Sequence, residues 1–125
     1  MIETRACTFE KDPHGFVRAT MRDGVEMDLA DAKEALAATK ELSGGQRVPV
    51  LVDSRLVKYQ TRQARDYFVS EEAAAICSRV ALIIGSPVSR MIGNFFLRNS
   101  AHKAPTKLFT DEAAAIDWLL LPGKE

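Results

Sequence analysis

Two nearly unbroken runs of branched apolar residues, VPVLV at 48–52 and VALII at 80–84, constrain this chain more than anything else in it. Runs this short and this apolar suit strands buried on both faces, as central strands of parallel sheets are. Each leads through a polar turn into a segment of helical period. The first passes Asp53-Ser54-Arg55 to a helix led by Thr61, and the second passes Ser86-Pro87 to VSRMIGNFF. Repetition of strand, loop and helix predicts β-α units. In open α/β sheets, ligands and partners gather where strand carboxyl ends face helix N-termini. The 53–62 loop and the start of the Ser86 helix therefore form the candidate working edge. Pro49 cannot donate to a ladder, which places it at its strand's start or at a gap in pairing.

The flanking sequence completes the pattern. Residues 2–10 alternate loosely, Asp12-Pro13-His14-Gly15 forms a turn, and residues 16–22 alternate with Val17, Ala19 and Met21 on one face. Asp23-Gly24 turns again, and residues 25–27 add a short third strand. Asp28 caps a first helix with Asp31 in its first turn, and Leu29, Ala32, Leu36 and Thr39 make its apolar stripe. Ser43-Gly44-Gly45 ends it, glycine supplying the left-handed C′ residue. The Thr61 helix places Ala64, Tyr67 and Phe68 on one side and breaks at a fresh cap, Ser70-Glu71-Glu72. Ser86 caps the next helix with Pro87 at its first position. Val88, Met91, Ile92, Phe95 and Phe96 fall on its core-facing stripe, with Gly93 permitting close approach to a neighbouring backbone. Residues 98–106 read as a polar loop and 107–109 as a last strand. Thr110 then caps a final helix docked by Ile116, Leu119 and Leu120 and ended by Pro122-Gly123. The prediction is an α/β fold over residues 1–125: an antiparallel N-terminal hairpin, then β-α units, in one mixed sheet packed with about four helices.

Composition closes several functional classes. A chain of 125 residues, 46% hydrophobic and 27% charged, suits one globular domain. Seventeen basic and seventeen acidic residues cancel, so the footprint of non-specific nucleic-acid binding is missing, although a local basic patch stays open. Cys7 and Cys77 are too few for a disulfide framework and read as free thiols, and neither His14 nor His102 has ligand spacing. No metal and no cofactor are expected. Glu3 and Arg5 interrupt any leader-like apolar run, and no stretch approaches the ~20 residues of a spanning helix. A cytoplasmic protein is expected, not one integral to a membrane.

With that order in hand, the chain resembles the STAS domain, the fold of anti-sigma-factor antagonists, and within it the SpoIIAA-like group of small, mostly uncharacterised bacterial proteins. The resemblance covers essentially the whole chain and rests on VLVDSRLVKYQTRQA, on the strand-then-SPVSRMIGNFF unit and on LFTDEAAAIDWL. It implies a non-catalytic regulatory domain that binds other proteins. In antagonists a strand-end aspartate is followed by an aspartate-serine-serine-glycine motif whose serine is phosphorylated at a helix N-terminus. Asp53 matches the strand-end aspartate and Thr61 takes the phosphoacceptor place. Gln60 replaces the acid, Arg62 the second serine and Gln63 the glycine.

Each candidate residue carries two readings. Thr61 is a regulatory hydroxyl whose phosphate would meet free backbone amides near Arg62 and Arg65, or it is simply a helix cap. Asp53, Ser54 and Arg55 bind a ligand at the strand end, or tie their loop together. Arg90, Asn94 and Arg98 share one helical face, which presents a reading surface to a protein or an anion, or is merely solvated. Lys103 and Lys107 lie nearby in sequence and suit a small anionic ligand. No credible nucleophile and base pair appears, so no catalytic residue is assigned and no enzyme expected. A homo-oligomer stays open. The second functional class is a small-molecule or lipid-type binder. It would use an apolar pocket between the Ser86 helix and the sheet, an idea resting on architecture shared with CRAL-TRIO-type lipid carriers.

Overall fold

The structure, a computed structural model, describes residues 1–100 and 104–122. His102, Lys103 and Gly123 lie outside the described residues. The elements run β1 (Ile2–Glu3), β2 (Cys7–Lys11), β3 (Val17–Met21), β4 (Glu26–Met27), α1 (Leu29–Leu42), β5 (Val48–Asp53) and β6 (Tyr59–Gln60). They continue with α2 (Arg62–Phe68), α3 (Glu71–Ala74), β7 (Cys77–Ile83), α4 (Pro87–Ser100), β8 (Thr106–Phe109) and α5 (Glu112–Leu119). Six strands form one mixed sheet in the order β1-β2-β3-β5-β7-β8. The first three are antiparallel to one another, and β3, β5, β7 and β8 pair in parallel. The two apolar runs are its central strands, as their composition requires. Pro49 sits at a register shift between β5 and β7, where its missing N–H leaves the ladder intact on either side.

Side-chain alternation sends the two strand faces into two layers. On one side Leu51, Ala81 and Ile83 meet Phe16 and α5. On the other, Phe9, Ala19, Met21 and Leu82 meet α1 and α4. Ser70 does interrupt the second helix, its Oγ accepting from the Ala73 amide, so the described residues hold five helices where about four were expected. Asp28 caps α1 through a reciprocal box with Asp31. Asp31 is also held by Arg5, whose Nε lies 3.1 Å from Oδ1 and whose Nη2 meets Oδ2. The Arg5 bonds keep the Asp31 carboxyl below its ordinary range against the opposing effect of burial.

Several expectations need correction. Met91 is 51% exposed. The buried stripe of α4 is Ser89, Ile92, Gly93 and Phe96, while Val88 and Phe95 are half-buried. Gly93 packs against side chains, not backbone: a Cβ there would stand 2.8 Å from Leu108 Cδ2 and 3.3 Å from Ile84 Cγ2. Helix α4 runs to Ser100 before the chain enters β8 at Thr106, which shortens the expected loop. Asp111, not Thr110, caps α5 by accepting from the Ala114 amide. The segment after Gly24 is not a third strand of the main sheet. It makes a separate parallel pair with β6, Met27 opposite Gln60.

Candidate functional site

Parallel pairing of β5 with β7 puts Asp53 opposite Ile83 and so brings the two candidate loops together. Ser54 seals the junction. It is fully buried, and both its amide and its Oγ donate to the Ile83 carbonyl, at 3.1 and 2.8 Å. Asp53 turns back on its own loop, accepting from the Arg55 amide (3.1 Å), Nε (3.0 Å) and Nη2 (2.7 Å). Burial pushes the Asp53 carboxyl up, but those Arg55 bonds outweigh it and hold the group below the ordinary carboxylate range. The Arg55 stem lies over Gly85, where a Cβ would approach its Cγ to 3.0 Å. The loop and the start of α4 are therefore in direct contact.

The serine and threonine hydroxyls along this edge are engaged. Thr61 Oγ1 accepts from the Ala64 amide at 3.2 Å, and the Thr61 amide donates to the Met27 carbonyl. Ser86 Oγ accepts from the Ser89 amide at 3.0 Å. In return the buried Ser89 Oγ accepts from the amides of Gly85 and Ser86, at 2.9 and 2.8 Å. This reciprocal serine cap uses the amides of Gly85, Ser86 and Ser89, donors that an anion there would otherwise meet. Arg65 is internal as well: its Nη1 donates to the Gln60 carbonyl at 2.7 Å and its guanidinium lies 5.5 Å from the Phe95 ring centroid. Together with the edge-to-face Phe68–Phe96 pair, that stack holds α2 beside α4. No nucleophile is set against a base here. Among the described residues no cluster of histidine, cysteine, aspartate and glutamate is arranged to hold a metal.

What the edge does present is exposed. Arg62 reaches only Asp66, at 3.9 Å, with its side chain 85% exposed. Arg90 and Asn94 are exposed on α4, without a side-chain hydrogen bond or ion pair among the described residues. Beside them are apolar groups that sequence reading passed over: Leu56 and Tyr59 in the loop, 58% and 47% exposed, and Met91 and Leu97 on α4. One signal was legible beforehand. Residues 54–65 and 73–110 together contain nine of the seventeen basic residues and no acidic one, so a chain of zero net charge is strongly polarised along its length. Gln60, at the place where antagonists carry an acid, is buried on β6 with its Oε1 lacking a hydrogen-bond partner among the described residues.

A separate feature lies beneath the helices. An apolar cavity of about 90 Å³ opens between the sheet and α1, α2 and α3, and only Phe96 of α4 reaches it. The pocket expected under the Ser86 helix is thus displaced, because Ile92, Phe96 and Leu108 fill that space. Ala19, Ala35, Ala73 and Ala74 line the cavity, as do Cys7 and Cys77. Both thiols are free, and burial pushes them up to about 12 and about 11. A wider, more polar cleft of about 460 Å³ runs between α1 and the α2–α3 segment.

The fold is SpoIIAA-like. The chain is similar to an uncharacterised protein of the DUF3478 family with a SpoIIAA-like fold from Shewanella loihica PV-4. The two are 17% identical and superpose with a TM-score of 0.65 over 95% of this chain and 98% of that one. That likeness concerns the fold alone. No helix among the described residues is long and apolar enough to cross a membrane. No curated protein matches the sequence. A family model described as a domain of unknown function, DUF7793, matches residues 9–120, and the chain belongs to that family.

Proposed function

We propose that this protein is a non-catalytic binding module that engages an acidic protein partner through the 54–62 loop and the exposed face of α4. One observation carries the reading. Where the two β-α units meet, Asp53, Ser54, Thr61, Ser86 and Ser89 are engaged in internal bonds. Leu56, Tyr59, Met91, Arg62 and Arg90 instead face outward, from two stretches of chain without an acidic residue. Apolar anchors beside exposed cations suit a partner with acidic residues around an apolar spot, the charges steering encounter and the anchors supplying affinity. Thr61 serves in this reading as the α2 cap.

Native mass spectrometry of the protein isolated from its host tests the reading, followed by binding measurements with the partner found. The expected result is a stoichiometric complex with an acidic protein that weakens with salt. It should be lost in Leu56→Asp and in Arg90→Glu but retained in Lys11→Glu, at the opposite end of the sheet from the Asp53 loop. A protein found alone, or a complex indifferent to both substitutions, overturns it. Thr61→Asp separates switch from cap: a changed partner affinity at unchanged folding would make Thr61 a regulatory position.

A further inference from the structure

Two spaces adjoin across Leu36, which lines both. Inward lies the apolar cavity, and outward lies the cleft bounded by Lys33, Lys40 and Gly45 on one side and Tyr67, Glu72 and Ile76 on the other. Lys33 and Lys40 are seven residues apart on α1, hence on one face at a spacing of two turns. Among the described residues neither lysine forms an ion pair. The acid opposite them, Glu72, already accepts from the Tyr67 hydroxyl at 2.7 Å. The cleft lining thus carries two lysines to one carboxylate, on one side of a wall whose other side is apolar.

The cavity's own polar groups narrow the ligand further. Thr39 Oγ1 donates to the Ala35 carbonyl, Ser70 Oγ to the Tyr67 carbonyl and Thr106 Oγ1 to the Ala104 carbonyl. With those protons committed the cavity offers an anionic head no hydroxyl donor, so what its apolar lining suits is hydrocarbon. At about 90 Å³ it is smaller than the ~150 Å³ cavity that accepts benzene, so it takes only the end of an alkyl chain. The alanines of α1 and α3 keep it open where larger side chains would close it.

We propose that this is a binding site for a free medium-chain carboxylate, its head in the cleft at Lys33 and Lys40 and its tail passing Leu36 into the cavity. The site uses none of the exposed residues of the proposed partner surface, and its test is independent of that reading.

Titration of isotope-labelled protein with octanoate, 1-octanol and acetate, followed by amide shifts and calorimetry, tests the site. Octanoate is expected to bind saturably, shifting amides around Leu36, Ala35 and Ala73, and acetate to leave them unmoved. The exposed double substitution Lys33→Glu with Lys40→Glu should weaken octanoate about tenfold or more, the scale of a lost charge-assisted contact, while octanol binding is unchanged. Retained octanol binding also shows that this variant is folded. Ala35→Leu should weaken both. Absence of octanoate binding, shifts clustered elsewhere, or octanoate affinity indifferent to the lysines overturns the proposal.

Discussion

The two faces of the sheet are built from the same central strands and closed in opposite ways. On the α5 side, Phe16, Leu51, Ala81, Ile83 and Ala115 are wholly inaccessible. A single helix seals that layer, with Trp118 against Phe109 and Arg79 donating to the carbonyls of Trp118 and Leu121 at the helix end. Four helices cover the other side. Yet Val52, Cys77 and Val80 remain only half-buried there, and a cavity persists beneath. The difference lies in continuity. Helix α5 crosses its strands unbroken, whereas α2 stops after seven residues and restarts as α3 beyond the Ser70 cap, leaving alanines where a core would want leucines. A well-capped chain break fixes the backbone without filling the space under it.

The largest test of this contrast is Leu51→Ala. It deletes most of a side chain from the sealed layer, where neighbours have little freedom to collapse, and should lower stability by about 2–5 kcal/mol in urea unfolding. A loss below about 1 kcal/mol would show that the α5 face is not sealed. Gly93→Val probes the filled end of the other face. Its side chain would drive into the Leu108 methyls, the nearer 2.8 Å from the Cβ position, and into Ile84. Overpacking should destabilise by about 1–3 kcal/mol, measured in the same titration, because two side chains would have to move together.

The central strands and most helix starts were legible in the sequence, and how the helices close the two faces was not. Strand runs announce themselves by composition, and Asp28, Thr61, Ser70 and Ser86 announce helix starts because local side-chain-to-amide bonds suffice to define them. Met91 was misplaced for a physical reason. The helical stripe reads hydrophobicity, but Gly93 and Ser89, small enough to sit against Leu108 and the Gly85 amide, turn α4 away from the methionine. Strands β1, β4 and β6 have two residues each, too short for any period, and exist through non-local pairing. At the candidate edge the residue types were visible and their engagement was not. Whether Asp53 is free or bound to Arg55 depends on a loop geometry that spacing does not encode.

Acid should distinguish the faces next. Arg5 keeps the Asp31 carboxyl low in the native state, so the unfolded chain takes up the proton more readily as pH falls. The associated stability is complete above the unfolded value of about 3.9 and is lost as pH drops through the depressed native one. Asp31 anchors α1, the roof of the cavity. Amide exchange below about pH 4 should therefore quicken in α1 while Leu51 and Ile83 stay protected. Simultaneous loss in both layers would mean that the two faces unfold as one unit.

The smallest effect is the most discriminating, because one substitution can be made on both faces. Ala73→Val and Ala115→Val each place a β-branched residue in a helix and incur the same propensity loss of about 0.7 kcal/mol or less. Their surroundings differ. Ala73 borders the cavity, where two added methyl groups gain apolar contact, whereas Ala115 is inaccessible within the layer that α5 seals. Ala73→Val should thus fall within about 1 kcal/mol of the parent, and Ala115→Val should lose about 1–3 kcal/mol through overpacking. Since propensity cancels in the comparison, the difference between the two unfolding free energies reports the packing of one face against the other. Equal losses would mean that the space beside Ala73 closes in solution, and that the two layers differ in their helices but not in their density.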